Sequence, residues 1–111
     1  GIAEPTVEFD LKSVRDLTRI MFWEMRTQNR ALGPVAVKVA FSENGRDYTE
    51  AKSFVMAWSQ KLHDVSRYAE IRLQGVRGRY VRLAFTPNRD PKHNKNGDVA
   101  LDEVYIFGLG R

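Results

Sequence analysis

No cysteine occurs among the 111 residues, which excludes a disulfide scaffold, a thiol nucleophile and any cysteine-ligated zinc or iron–sulfur centre. Histidine is almost as scarce, with only His63 and His93. The chain also lacks His-Glu-x-x-His, Gly-x-Ser-x-Gly, a phosphate-binding glycine loop and a dinucleotide fingerprint, so the usual signatures of hydrolases and nucleotide enzymes are missing. His63 and Asp64 are adjacent, and neighbours on one turn rarely point at each other. Asp102 and Glu103 are neighbours on a strand pattern, which faces them opposite ways and disfavours a cooperating carboxylate pair. No catalysis is expected. No apolar run nears the roughly 18 residues of a spanning helix, and the N-terminal GIAEPTVEFD has neither the basic start nor the apolar stretch of a leader. Neither charge sign dominates: 18 Lys and Arg against 14 Asp and Glu give +4. That excess suits an anionic glycan or lipid headgroup, but without a dense basic run nucleic acid is not expected.

What is present is a period of two. Val7, Phe9 and Leu11 alternate with Glu8 and Asp10; Val35, Val37, Val39 and Phe41 with Ala36, Lys38 and Ala40; Val81, Leu83 and Phe85 with Tyr80, Arg82 and Ala84. These read as half-buried strands. Residues 69–73 repeat the pattern, 18–25 and 99–107 are apolar on both faces, and 52–58 is a weaker seventh candidate. The longest helix-like stretch, 58–68, offers one turn at most. Asn44-Gly45 supplies the positive φ angles of a tight turn, Gly33-Pro34 separates two strands, and Gly75 and Gly78 bracket a reversal. The expected fold is all-β, an antiparallel β-sandwich of the jelly-roll kind. Its core should hold Phe9, Leu11, Ile20, Phe22, Val37, Val39, Phe41, Ile71, Leu73, Val81, Leu83 and Phe85. One domain is expected over 1–108, with 109–111 as a linker remnant.

The ordered set VEFDL at 7–11, IMFWE at 20–24, VKVAFSENGRDY at 37–48, RGRYVRLAF at 77–85 and LDEVYIFG at 101–108 resembles the discoidin domain, the coagulation factor V/VIII type C family, whose bacterial members include family-32 carbohydrate-binding modules. The resemblance spans nearly the whole chain and implies a galactose-binding-domain-like fold. One departure stands out. The segment that normally precedes the Phe-Asp-Leu motif, with Asp-Gly and Thr-x-Trp elements, is missing, so the sequence is either trimmed or a shortened variant. Members commonly hold a structural calcium through that early segment and a late glutamate. Glu103 is at the matching place, so calcium is implied for the complete domain and none is expected for this chain alone. Residues 92–103 match an EF-hand loop at Asn94, Asn96, Gly97 and Glu103, but Lys92 stands where the first carboxylate is needed and the flanks read as strands, which excludes it.

If the strands alternate in direction, the long connections at 26–34, 59–67 and 87–98 emerge at one end and the short ones at 12–16, 43–48 and 75–78 at the other. The long set carries the polar residues Arg26, Arg30, His63, Arg89, His93 and Asn94, with Trp58 at its edge. Sugar recognition needs planar donors for vicinal hydroxyls and an aromatic face for the apolar side of the ring, and loops on a rigid sandwich supply both. Trp23 and Trp58 fit either core packing or stacking. The resemblance implies a glycan or glycoconjugate as ligand, with the chain a non-catalytic accessory of a larger secreted protein, extracellular or periplasmic; no nucleic acid is expected as partner, and a membrane is not the favoured one. Two alternatives remain. One is a protein–protein interaction domain in a multi-subunit assembly, which a large apolar patch outside the loops would favour. The other is an anionic phospholipid headgroup binder.

Overall fold

A computed structural model describes residues 4–24, 33–60, 67–88, 99, 101 and 103–109. The described residues contain six strands and no helix: β1 (Thr6–Glu24), β2 (Ala36–Ser42), β3 (Lys52–Val55), β4 (Ser59–Gln60), β5 (Arg67–Thr86) and β6 (Glu103–Leu109). All pairings are antiparallel, in the order β3-β2-β5-β1-β6 with β4 added to β5. The two longest strands carry the architecture. β1 pairs with β5 from Thr6↔Ala84 to Glu24↔Arg67, while β2 uses only residues 80–86 of β5 and β6 only residues 16–23 of β1.

The hydrogen-bonded sheet is folded over into two layers. Phe22 lies opposite Ala69 on β5, and sixteen residues of straight strand would separate Ala69 from Phe85 by about 50 Å. Yet the Phe22 and Phe85 rings meet edge to face, with centroids 5.9 Å apart at 86°. The first layer is therefore β3-β2-β5-β1 in its residues 80–86 and 6–10, and the second is β6-β1-β5-β4 in residues 15–24 and 67–78. The thinnest extent, 20 Å, fits two sheets about 10 Å apart with their outer side chains. The antiparallel β-sandwich expected from the alternation is the observed fold.

Two bulges make the fold-over. Between Asp10↔Tyr80 and Arg15↔Gly78, β1 advances five residues against two on β5; between Leu17↔Val76 and Arg19↔Arg72, β5 advances four against two on β1. Extra residues on one strand bend it and raise its twist, which is how strands turn the corner of a sandwich. Each bulge contains a left-handed residue, Lys12 at φ 72° and Gly75 at φ 67°. Asp10 clamps the first: its Oδ1 accepts the Lys12 backbone N–H at 2.8 Å and Arg79 Nε at 2.8 Å, and its Oδ2 accepts Arg79 Nη2 at 3.0 Å. These bulges lie where the sequence suggested loops at 12–16 and 75–78. The seven expected strands merge into fewer because a bulge keeps the pairing alive through a stretch whose apolar alternation slips.

The core sits between the layers. Ile20, Phe22, Val37, Val39, Phe41, Ile71, Val81, Leu83 and Phe85 are buried as expected, joined by Leu17, Met56 and Ala69. Phe9, Leu11 and Leu73, expected in the core, are only partly buried against it. Val35 ends its alternating run at 43% exposed, because β2 begins only at Ala36. At the other end of β2, Ser42 Oγ accepts the Asn44 and Gly45 N–H groups at 3.3 and 2.8 Å. Asn44 Oδ1 in turn accepts those of Arg46 and Asp47 at 2.8 and 2.9 Å. The Ser-x-Asn-Gly motif thus satisfies its own backbone, as Asx and Ser turns do.

Candidate functional site

Folding the sheet over brings six strand ends to one end of the sandwich. Glu24, Arg67 and Glu103 end the second layer there, and Ala36, Val55 and Thr86 end the first. Backbone bonds tie them: Val35 N–H donates to Thr86 O at 2.9 Å and Met56 N–H to Val35 O at 2.9 Å. The connections through 25–32, 61–66 and 89–98 all depart from these ends. Arg26, Arg30, His63, Arg89, His93 and Asn94, expected as ligand contacts, lie within those spans and outside the described residues. Trp58 and Glu103 are described.

The alternation of β1 dictates the chemistry at this end. Ile20, Phe22 and Glu24 share the inward face, so the apolar row finishes on a carboxylate that is only 2% exposed. A buried charge must be paired and hydrogen-bonded. Its register partner is Arg67, which donates from Nε to Glu24 Oε1 at 3.2 Å and from Nη2 to Oε2 at 2.5 Å. This two-pronged geometry is the strong form of an arginine–carboxylate contact. The same guanidinium lies 5.0 Å above the Trp58 ring. Trp58 is half-buried and packs on the core, and its indole N–H donates to Pro34 O at 2.9 Å. Glu24, Arg67, Trp58 and Pro34 therefore form a rigid floor drawn from four segments of chain.

Beside this floor, on the outer face of the second layer, Trp23 sits opposite Tyr68 with ring centroids 5.3 Å apart at 39°, a favourable cross-strand aromatic pair. Sequence reading singled out neither the buried Glu24–Arg67 pair nor the Trp23–Tyr68 pair. A signal for the first was available, since IMFWE at period two sets Glu24 on the same face as Ile20 and Phe22. The second depends on register, which no single segment encodes.

Glu103 is exposed at the start of β6 and accepts a short hydrogen bond from the Tyr105 hydroxyl, which holds the Tyr105 phenol above its ordinary pKa. Calcium normally takes six to eight oxygens. Among the described residues no three His, Cys, Asp or Glu side chains are grouped to hold a metal, and Asp102 and the 89–98 span that precede Glu103 lie outside the described residues.

No family model matches the chain, and no curated protein matches it by sequence. Solved structures do. A family-32 carbohydrate-binding module, CBM32-3, from a family 31 glycoside hydrolase of Clostridium perfringens superposes with a TM-score of 0.70 at 18% identity, over 98% of this chain and 70% of that one. A protein fragment carrying the name chitobiase, from Bacteroides thetaiotaomicron, gives 0.68 at 22% identity, over 99% and 65%. A Streptococcus pneumoniae fucose binding module, SpX-3, gives 0.58 at 16% identity, over 97% and 69%. The chain thus spans about two thirds of each of these neighbours, and it shares their sandwich fold.

Proposed function

We propose that this domain is a non-catalytic glycan-binding module, an accessory to a larger protein outside the cytoplasm, and that it binds its ligand at the Glu24–Arg67–Trp58 end. The observation that carries this reading is the convergence of the strand ends flanking 25–32, 61–66 and 89–98 around one rigid floor. Its fold is that of modules whose names state carbohydrate binding. A site on loops held by a stiff scaffold is the usual arrangement for recognition. Arg26, Arg30, His63, Arg89, His93 and Asn94 supply the polar contacts. Trp58, fixed by Pro34 and Arg67, supplies the apolar surface. Single exposed hydrogen bonds contribute only about 0.5–1.5 kcal/mol, so the test combines them. A glycan array on the 111-residue chain should show selective binding, and replacing Arg30, His63 and His93 together by Ala should abolish it with the unfolding transition unchanged. An array without selective binding contradicts the reading. The chain alone holds no tight calcium in this reading, and a thermal shift of several degrees on adding calcium would overturn that part.

A second reading has an observation of its own. On the outer face of the second layer, Met21, Trp23, Tyr68, Tyr105 and Phe107 lie side by side across β5, β1 and β6. Tyr105 is 45% exposed and its ring is 6.4 Å from Phe107, and Arg19 lies 4.1 Å over the Phe107 ring. An aromatic patch outside the loops favours docking against a neighbouring domain.

A further inference from the structure

A second concave surface lies on the flank of the sandwich and shares no residue with the loop end. It is a cleft of about 520 Å³ between β3 and the neighbouring part of β2 in the first layer and the bulged run 72–77 of β5 in the second. That volume falls within the range of small-molecule sites, about 300–1,000 Å³. Its accessible floor is apolar, from Phe54, Leu73 and Val76 over the buried Val39 and Phe41. Its rim carries Lys52, Arg77 and Arg72, the last paired with Glu70 at 3.0 Å, with Glu50 as the carboxylate among the lining residues.

The bulge shapes this cleft. Residues 73–75 are the stretch over which β5 gains two residues on β1, and the surplus residues of a bulge leave the ladder with their backbone groups unpaired by it. The position a Cβ would take on Gly75 has no atom within 4 Å, so the chain there borders open space. A further cavity of about 400 Å³, lined by Asp16, Leu17 and Thr18, flanks the same run.

Three properties decide the occupant. A bulged edge lacks the regular row of N–H and C=O groups that an added strand requires, which disfavours an extended peptide. The apolar floor would leave the hydroxyls of a sugar without partners, a costly burial. Two of the rim cations are loosely held: among the described residues Lys52 has no carboxylate within ion-pair distance, and Arg77 reaches Asp16 and Glu43 only at 4.0 and 3.8 Å, whereas Arg72 is committed to Glu70 at 3.0 Å. We propose that this cleft binds a small amphipathic anion, with an aromatic or branched apolar body on the Phe54–Leu73–Val76 floor and an anionic head group toward Lys52 and Arg77.

The test is an amide chemical-shift titration of the full chain with 2-naphthalenesulfonate, with 2-naphthylmethanol as the uncharged analogue and sodium sulfate as the head group alone. Naphthalenesulfonate should saturate and shift Lys52, Phe54 and residues 73–77, at least tenfold more tightly than either control. Lys52→Glu and Arg77→Glu alter exposed side chains, so they should keep the native spectrum and each weaken binding by about tenfold. Shifts that cluster elsewhere, equal affinity for the alcohol or for sulfate, or unchanged affinity in both variants would overturn the proposal.

Discussion

At the bend end of the sandwich the bulge and the turn bond to their own backbone two or three residues away, reinforced by the Asp10–Arg79 pair, whereas at the loop end the side-chain ties run between segments distant in sequence. Asp10 clamps the Lys12 bulge and the Ser42–Asp47 turn bonds to itself. Glu24 and Arg67 meet through the β1–β5 register, and Pro34 and Trp58 close on them where the sheet doubles over. The ion pairs differ as well. Asp10 and Arg79 are solvated, so their pairing adds little, while Glu24 is buried and its pairing is obligatory. One end is built to turn the chain. The other is built as a stiff platform from which three long connections depart.

The largest effect should therefore come from the loop end. Arg67→Ala removes the two-pronged partner of a buried carboxylate, and breaking such a pair costs about 3–5 kcal/mol. Chemical denaturation should show that loss, and a loss below about 1 kcal/mol would mean that Glu24 is well satisfied without Arg67. At the bend end, Gly45 has φ 82°, and a Cβ there would sit 3.2 Å from the Tyr80 ring. Gly45→Ala should cost about 1–2 kcal/mol from the left-handed backbone, and more than Gly75→Ala, where the space is open; equal costs would show that the Tyr80 contact is immaterial.

The smallest effect is the acid response of the bend. Hydrogen bonds from Arg79, then from the Lys12 backbone, hold Asp10 below its ordinary value of 3.8. A carboxylate lowered in the folded state lends stability that is fully present above its unfolded pKa and lost as pH falls toward the folded one. Stability should thus decline below about pH 4, and Asp10→Asn should flatten part of that decline while leaving the loop end's ligand binding intact. An unchanged acid profile would separate Asp10 from the bend's stability.

The same comparison explains what was legible in the sequence. Strands and core follow from alternation, a local property, and the antiparallel sandwich follows from both. Much of the discoidin resemblance rests on residues at or near the bend: Ser-x-Asn-Gly closes its own turn, and Tyr48 bridges back to Ser42 and bonds to Glu8. Arg79 of Arg-Gly-Arg-Tyr grips Asp10 of Phe-Asp-Leu. These residues speak to the fold and leave the ligand open. Merged β1 and β5 were not legible, because a bulge mimics a loop when only the alternation is read. The Glu24–Arg67–Trp58 floor was hidden for a related reason: β1–β5 register pairs Glu24 with Arg67, the end of the first layer brings Pro34 to Trp58, and neither is encoded in one segment.

The central claim is that ligand binds at the loop end. The most direct measurement is amide shift mapping of the chain with the best oligosaccharide from the array. The account predicts that perturbations cluster on residues 24–35, 58–68 and 86–98. Perturbations centred on the 42–48 turn, on the bulges at 10–15 and 72–76, or on the outer sheet faces would contradict it.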